Sequence, residues 1–348
     1  MLYKKIAIIL CGFLFGSIFN FFNIPAGWLL GALFAGILFS ITFGSVEKTP
    51  IIFKIGFAII GTGIGINVDT SFFVSIKNYI LPLFISIPLT ILFSVLLAEV
   101  LFKKSNLDYK TSLFSCIPGG ASEVIAMSKE VGANEQIVAA FHTARILLFV
   151  LTIPIIVGTT RDYHSASVNA IATDLLPLNA YEIFSILIII FISIYLSKLI
   201  KAPIGTLIYA MLLGFLVNQF MNLEDFSTFL PIIGQVIIGS IIGQKFDIAT
   251  AKQLKQLGFA VVKTIVLLFG FSLVIALIFS LISHLSYASS LLGTVPAGAA
   301  EMSSTAFALN LDPSIIVALQ TIRLLTIFLL LPFLISYAEN REIKLRGR

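Results

Sequence analysis

Apolar runs of about 20 residues recur along the whole of this chain, and they limit its possible folds more than any other feature. A helix of that length spans the hydrocarbon core of a bilayer. The composition agrees, because 58% of the residues are hydrophobic and only 11% are charged, against about 25% charged residues in soluble domains. The pattern therefore predicts an all-α integral membrane protein with many spans.

The two halves of the chain have related sequences. A shift of 178 residues aligns "PGGASE" at 118–123 with "PAGAAE" at 296–301. We therefore predict a tandem duplication, with a first membrane repeat at 1–170 and a second at 179–348. The same shift aligns further prolines, glycines and arginines, among them Pro25 with Pro203, Gly65 with Gly243, and Arg145 with Arg323.

The distribution of basic residues predicts the orientation of the two repeats. Each repeat has five long apolar segments and one shorter motif region. If the motif region crosses the membrane, the repeats are parallel, and if it enters and returns, the second repeat is inverted. Inversion places the Lys and Arg residues outside the bilayer core on one side, except Lys77 and Arg161. The positive-inside rule favours this asymmetry, so we predict inverted repeats with both termini in the cytoplasm of a bacterium.

Each motif region is predicted to form a re-entrant broken hairpin. About eight residues per arm give a helix ~12 Å long, which reaches near the middle of a ~30 Å hydrocarbon core. Pro and Gly suit the tip, where the helix must stop and the backbone must turn. The predicted tips contain Pro118, Gly119, Gly120, Pro296 and Gly298.

The prediction is thus about ten spans in two inverted repeats of five helices, each repeat with one hairpin. The predicted spans lie at 6–22, 24–44, 51–68, 80–102, 135–158, 181–200, 203–221, 229–244, 257–283 and 313–337, and the motif regions at 111–130 and 288–309.

Ionisable residues near the middle of the bilayer are the candidates for chemistry, because they are costly there. Glu123 and Glu301 stand next to the predicted tips. Arg145 and Arg323 each lie eleven residues after a helix-capping residue, ~16 Å along the last span of their repeat. Two alternatives stay open. The Glu and Arg residues form buried ion pairs that lock each hairpin, or they line a substrate or ion site between the two tips.

The neighbours of the two arginines differ between the repeats. One turn before the arginine, on the same helix face, the first repeat has His142 and the second has Gln320. His142 either titrates and supports proton coupling, or it is a hydrogen-bonding packing residue. Thr143 and Thr321 either line the site or bond to their own helix backbone.

Glycines at the end of the third span of each repeat indicate close helix packing. They occur in "GTGIGINVD" at 61–69 and "GSIIGQKFD" at 239–247. Small residues at this spacing let helix backbones approach; the alternative is a thin helix beside a moving hairpin. A nucleotide site is excluded, because no strand precedes these glycines and no P-loop lysine follows.

The sequence predicts no enzyme activity, no cofactor and no metal site. The three histidines are widely separated, and the two cysteines have no metal-type spacing. Nucleic acid is not an expected partner despite the net charge of +5, because the basic residues lie in short groups between apolar runs. The expected partners are the lipid bilayer, a small solute and H⁺ or Na⁺. A homodimer is compatible with the sequence, which does not determine the oligomeric state.

The duplicated "PGGASE" and "PAGAAE" motifs, each followed by an arginine, resemble those of the AbrB-type duplicated membrane proteins of bacteria. "IPAG" and "KAPIG" at the start of the second spans extend the resemblance over essentially the whole chain. Some members of that family carry an ammonia monooxygenase label, and one role attributed to the family is an influence on gene expression. The resemblance implies an integral membrane protein and brings no catalytic residues.

The order of spans and hairpins also looks like that of elevator-type secondary transporters, an analogy of architecture alone. We therefore expect an ion-coupled secondary transporter or exporter of a small anionic solute. The alternatives are a membrane-embedded regulator that affects gene expression indirectly and a membrane monooxygenase.

Overall fold

The computed structural model describes residues 2–44, 50–68, 70–159, 180–200, 202, 204–221 and 229–346. Every element in those ranges is helical. Six of the helices are long and apolar enough to cross a membrane, and a bent helix pair gives a seventh. Helices satisfy their own backbone hydrogen bonds, as hydrocarbon surroundings require. The prediction of an all-α, multi-pass membrane protein is therefore confirmed.

The described residues of the first half form eight α-helices, and a short 3₁₀ turn, Ile76–Tyr79, connects the fourth to the fifth. They are α1 (Leu2–Phe21), α2 (Gly27–Phe43), α3 (Pro50–Ile66), α4 (Ser71–Ser75), α5 (Ile80–Lys104), α6 (Tyr109–Cys116), α7 (Ala121–Glu130) and α8 (Glu135–Thr159).

The second half repeats this order of long and short helices, and several of its helices begin and end 178 residues after their counterparts. They are α9 (Ala180–Leu199), α10 (Gly205–Met221), α11 (Phe229–Gln244), α12 (Ile248–Leu257), α13 (Phe259–Ser283), α14 (Tyr287–Thr294), α15 (Ala299–Ala308) and α16 (Pro313–Arg346).

Fewer helices have the full length of a membrane span than the sequence predicted. The predicted spans at 24–44, 51–68 and 203–221 form α2, α3 and α10, which have 17 residues each. Such a helix is ~26 Å long, shorter than a ~30 Å hydrocarbon core. The described residues thus provide six or seven full-length spans, and three further predicted spans form these shorter apolar helices.

Two short helices were not predicted, and one predicted span is longer than expected. α4 and α12 follow α3 and α11. Gly258, with a φ of 70°, separates α12 from α13. α16 continues to Arg346, whereas the predicted span ends at residue 337. The additional turns are polar, so the apolar pattern does not include them.

The chain divides into two compact units, and each unit takes segments from both halves of the sequence. The boundaries of these units therefore differ from those of the predicted repeats. The first unit comprises Met1–Val74, Val150–Asp247 and Ala299–Val317, and the second comprises Ser75–Phe149, Ile248–Gly298 and Ala318–Arg348.

In the first unit, α2 packs on α11, and α3 packs on α10. The backbones are so close that a Cβ on Gly65 would overlap the main-chain oxygen of Met211, and one on Gly243 would overlap that of Leu33. The Asn218 side chain also donates a hydrogen bond of 2.9 Å to a main-chain oxygen of α3. The prediction that the repeated glycines serve close helix packing is confirmed.

In the second unit, α5 packs on α13, and each of these helices also carries a short helix, α6 on α5 and α14 on α13. Phe93 and Phe271 stack between α5 and α13 with ring centroids 3.7 Å apart. Arg341, near the end of α16, donates a 2.5 Å hydrogen bond to the Glu99 carboxylate. The unit therefore holds both short helices that precede the predicted tips.

Candidate functional site

The helix of the first motif region is interrupted at the predicted tip. α6 ends at Cys116, and α7 begins at Ala121. Ile117 and Gly120 leave the helical conformation, with ψ angles of 128° and 123°. Pro118, between them, has no N–H to continue the helix. α6 itself begins at Asp108, whose carboxylate accepts a 2.7 Å hydrogen bond from the Thr111 N–H, an N-cap contact.

The second motif region is interrupted at the equivalent residues. α14 ends at Thr294, α15 begins at Ala299, and Val295 is extended with a ψ of 138°. Gly298 has a φ of 104°, a conformation that favours glycine. Its counterpart Gly120 has a φ of −60°. The two breaks therefore share their position and differ in backbone geometry.

Arg145 forms a hydrogen bond with the backbone at the first helix break. Its side chain is buried, and Nη1 donates a 3.0 Å hydrogen bond to the main-chain oxygen of Ile117. Nη2 lies 3.0 Å from Nδ1 of His142. Nε2 of His142 in turn lies 3.0 Å from the main-chain oxygen of Phe114. The C-terminal carbonyls of a helix carry a partial negative charge, so they stabilise a cation at this position.

Arg323 holds the second break in the same way. Nη1 donates hydrogen bonds of 2.6 Å to the main-chain oxygens of Thr294 and Val295. Nη2 donates to Oε1 of Gln320 at 2.6 Å. Gln320 donates through Nε2 to the main-chain oxygens of Leu292 and Val295 at 2.6 and 3.0 Å. Both helices that carry an arginine begin at the predicted caps, Asn134 and Asp312.

Several buried polar side-chain atoms have no hydrogen-bond partner among the described residues. In the second unit they include Nε of Arg145, Nε of Arg323, Oγ of Ser290 and Oγ1 of Thr321. An unpaired buried donor costs about 1–3 kcal/mol, so each such group calls for an explanation. The charge of Arg145 also acts unfavourably on the charge of Arg323. A guanidinium Nε–H without a partner is suited to binding an anion.

Of the two glutamates in the predicted site, the structure describes the side chain of one. Glu301 is buried, with 6% of its surface exposed, and belongs to the first unit, where Lys245 exerts an electrostatic attraction on it. The side chain of Glu123 lies outside the described residues. The structure therefore brings Arg145 together with His142, and Arg323 with Gln320, and the proposed glutamate–arginine pairs remain predictions.

The remaining predicted site residues are two threonines. A buried serine, whose hydroxyl has no partner among the described residues, was not among the predicted site residues. Thr143 is half-buried, and the unpaired hydroxyl of Thr321 does not bond to its own helix backbone. Ser290 was not predicted, although a serine, Ser112, stands at the equivalent position of the first motif. Among the described residues, no group of three or more His, Cys, Asp or Glu could hold a metal ion.

Comparison with known proteins gives one family and two bacterial relatives. Residues 28–339 match the family described as "Transition state regulatory protein AbrB". "Putative regulator AbrB" of Escherichia coli (strain K12) is 26% identical over 332 residues, which cover 92% of this chain and 93% of that protein. "Uncharacterized protein YhjN" of Bacillus subtilis (strain 168) is 26% identical over 344 residues, which cover 91% of this chain and 88% of that protein.

Proposed function

Since this chain belongs to the AbrB family of membrane proteins, we propose that it is an ion-coupled secondary transporter or exporter of a small anionic solute. One observation carries the proposal. Two buried arginines, Arg145 and Arg323, are fixed on the chain breaks of one compact unit, and each has an Nε without a partner among the described residues.

The cost of burying charge supports an anionic solute. An ionisable group within a membrane protein is expensive unless it faces a partner or a cavity. The carbonyl oxygens that hold Arg145 and Arg323 carry only partial charges, so they do not neutralise two guanidinium groups that repel each other. A carboxylate or phosphate offers the full negative charge and the paired oxygens that match a guanidinium fork.

The short helices around the breaks support the proposed re-entrant hairpins. α6 and α7 have 8 and 10 residues, so they are ~12 and ~15 Å long, too short to span a bilayer separately. α14 and α15 have the same two lengths. Interrupted helices of this kind surround the substrate sites of many secondary transporters.

Reciprocal contacts support two repeats related by a two-fold axis. A Cβ on Gly56 would meet Ile237 and Ile238, and one on Gly234 would meet Ile59 and Ile60. Each of these residues is related to its counterpart by 178 positions. An axis in the membrane plane makes the repeats inverted, as in elevator-type transporters, and this is the arrangement that we propose.

The proposed location is a bacterial plasma membrane, with both termini in the cytoplasm. The two relatives come from bacteria, and the basic residues are concentrated on the side that inversion assigns to the cytoplasm. The coupling ion is H⁺ or Na⁺. The proposed site contains the two arginines, their helix neighbours and the tips of both hairpins.

Uptake into liposomes tests the proposal. The purified protein is reconstituted, a proton or sodium gradient is imposed, and labelled inorganic anions, monocarboxylates and dicarboxylates are offered in turn. We expect gradient-driven uptake of at least one anion, and we expect Arg145→Ala and Arg323→Ala to abolish it. Arg341→Ala is the matched control, since Arg341 binds Glu99 at the end of α16. Full uptake by the Arg145→Ala, Arg323→Ala double variant would contradict the site.

A membrane-embedded regulator is the second candidate, because the family description and the name of the Escherichia coli relative both refer to regulation. A knockout with an altered transcript profile separates the two functions. If variants that fold but transport nothing restore the profile, the protein regulates independently of transport. If these variants do not restore the profile, the change in gene expression results from the loss of solute transport.

A further inference from the structure

We infer that His142 is a positioning residue that acts as a neutral imidazole. It fixes the Arg145 side chain by hydrogen bonding, as Gln320 fixes that of Arg323. If the coupling ion is H⁺, a group other than His142 therefore carries it. This inference deepens the proposed function, because it assigns a role within the same site.

The two contacts of His142 define one tautomer. A main-chain oxygen only accepts hydrogen bonds, so Nε2, at 3.0 Å from the oxygen of Phe114, must carry a proton and donate it. A guanidinium only donates, so Nδ1, at 3.0 Å from Nη2 of Arg145, must present its lone pair. Only the neutral imidazole with its proton on Nε2 makes both bonds.

Gln320 makes the same two bonds with an amide. Nε2 donates to the oxygen of Leu292, which is the counterpart of Phe114, and Oε1 accepts from Nη2 of Arg323. An amide never titrates, yet it occupies the position equivalent to His142. The neutral imidazole and the amide each present one donor and one acceptor, which is the combination that both sites require.

Protonation of Nδ1 would break this arrangement. It would place an N–H against the N–H of Arg145 and remove the bond that fixes the guanidinium. Among the described residues, the charged group that acts on His142 is Arg145 on its own helix. Arg145 in turn interacts electrostatically with Cys116 on α6 and with Arg323 on α16. The charge of Arg145 opposes a second positive charge on His142.

A set of matched substitutions tests the role. His142→Gln and Gln320→His keep one donor and one acceptor, so we expect anion uptake within about twofold of the parent protein. His142→Ala removes both bonds, and Gln320→Glu removes the donor, so uptake should fall by about tenfold or more. The dependence of uptake on pH between about pH 5 and pH 8 should be the same in His142→Gln as in the parent. Loss of proton-driven uptake in His142→Gln would overturn the inference.

Nuclear magnetic resonance of the ¹⁵N-histidine-labelled protein provides a readout that does not depend on transport. The signal lost in His142→Gln identifies His142. We expect the Nε2–H tautomer, unchanged between about pH 5 and pH 8. A His142 signal that titrates in this range, or that shows a proton on Nδ1, would contradict the inference even if no transported anion is found. An unchanged signal without uptake would leave the inference standing and contradict only the proposed function.

Discussion

At the scale of single residues, the two arginines depend on the shape of the guanidinium group. In Arg323, Nη1 faces main-chain oxygens of the break and Nη2 faces Gln320, so two directions of the fork are occupied at once. Arg145 divides its donors in the same way between Ile117 and His142. The Nε–H of each has no partner among the described residues, so it is a donor that the proposed anion would use.

We predict that Arg323→Lys does not preserve function. Lysine keeps the charge, but its single ammonium cannot reach the break, Gln320 and a ligand together. Losing hydrogen bonds made by a charged group costs about 1.5–3 kcal/mol each, so anion uptake should fall at least about tenfold. The same substitution at Arg341 is the control. Unchanged uptake by Arg323→Lys would mean that charge alone is needed there.

Gly120 and Gly298 provide a second test with an internal control. Gly298 has a φ of 104°, whereas Gly120 has a φ of −60°. An alanine at Gly298 must adopt a conformation that costs about 1–2 kcal/mol, and an alanine at Gly120 keeps an ordinary one. We expect Gly298→Ala to lower the thermal unfolding temperature in detergent more than Gly120→Ala does. Equal shifts would count against the different geometry of the two breaks.

The sequence located these residues but could not identify their partners. Arg145, Arg323, His142 and Gln320 were found because charged and polar groups are conspicuous in apolar spans and recur 178 positions apart. Their partners are main-chain oxygens, which every residue has. A helix break frees those oxygens, and only the fold shows which side chain they receive.

At the scale of the helices, the repeated glycines determine how closely the helices of the first unit approach. Gly61 and Gly65 on α3 face main-chain oxygens of α10, and Gly239 and Gly243 on α11 face those of α2. Without hydrophobic driving force between helices in lipid, such packing supplies much of the association energy. A single methyl group at one of these positions would separate two backbones.

We predict that Gly65→Ala and Gly243→Ala destabilise the protein by about 1–3 kcal/mol each, the usual cost of overpacking. Gly270→Ala on α13 is the control, because a Cβ there meets no atom within 4 Å. It should be neutral or slightly stabilising, since alanine favours the helix. Thermal unfolding in detergent measures all three. A Gly65→Ala variant as stable as Gly270→Ala would contradict the close packing.

The sequence predicted the long apolar helices and missed short or polar helical segments. Hydropathy located the long helices, because an apolar run is visible without any partner. α4 was missed because it has only five residues, and α12 was missed because it contains Lys252 and Lys255 among its apolar residues. The end of α16 was missed for the same reason, because its last turns, which include Arg341, are polar.

At the scale of the whole molecule, one pair of residues at equivalent positions of the two halves is in contact. Phe93 stacks on Phe271, which lies 178 positions later. Two equivalent residues can meet only near an axis that relates them. Such contacts occur with an axis in the membrane plane or along the membrane normal, so orientation needs a separate test.

We predict that Lys77 and Lys255 lie on opposite sides of the membrane. They are equivalent positions, 178 residues apart, and both side chains are exposed. Each is replaced by cysteine in a variant from which Cys11 and Cys116 have been removed, and intact cells are treated with a membrane-impermeant maleimide. Inverted repeats place only Lys77→Cys on the outer side, so this variant alone should be labelled, whereas Lys255→Cys should react only after the cells are permeabilised. Parallel repeats would place both cysteines on one side, and identical labelling of the two variants would therefore exclude inversion.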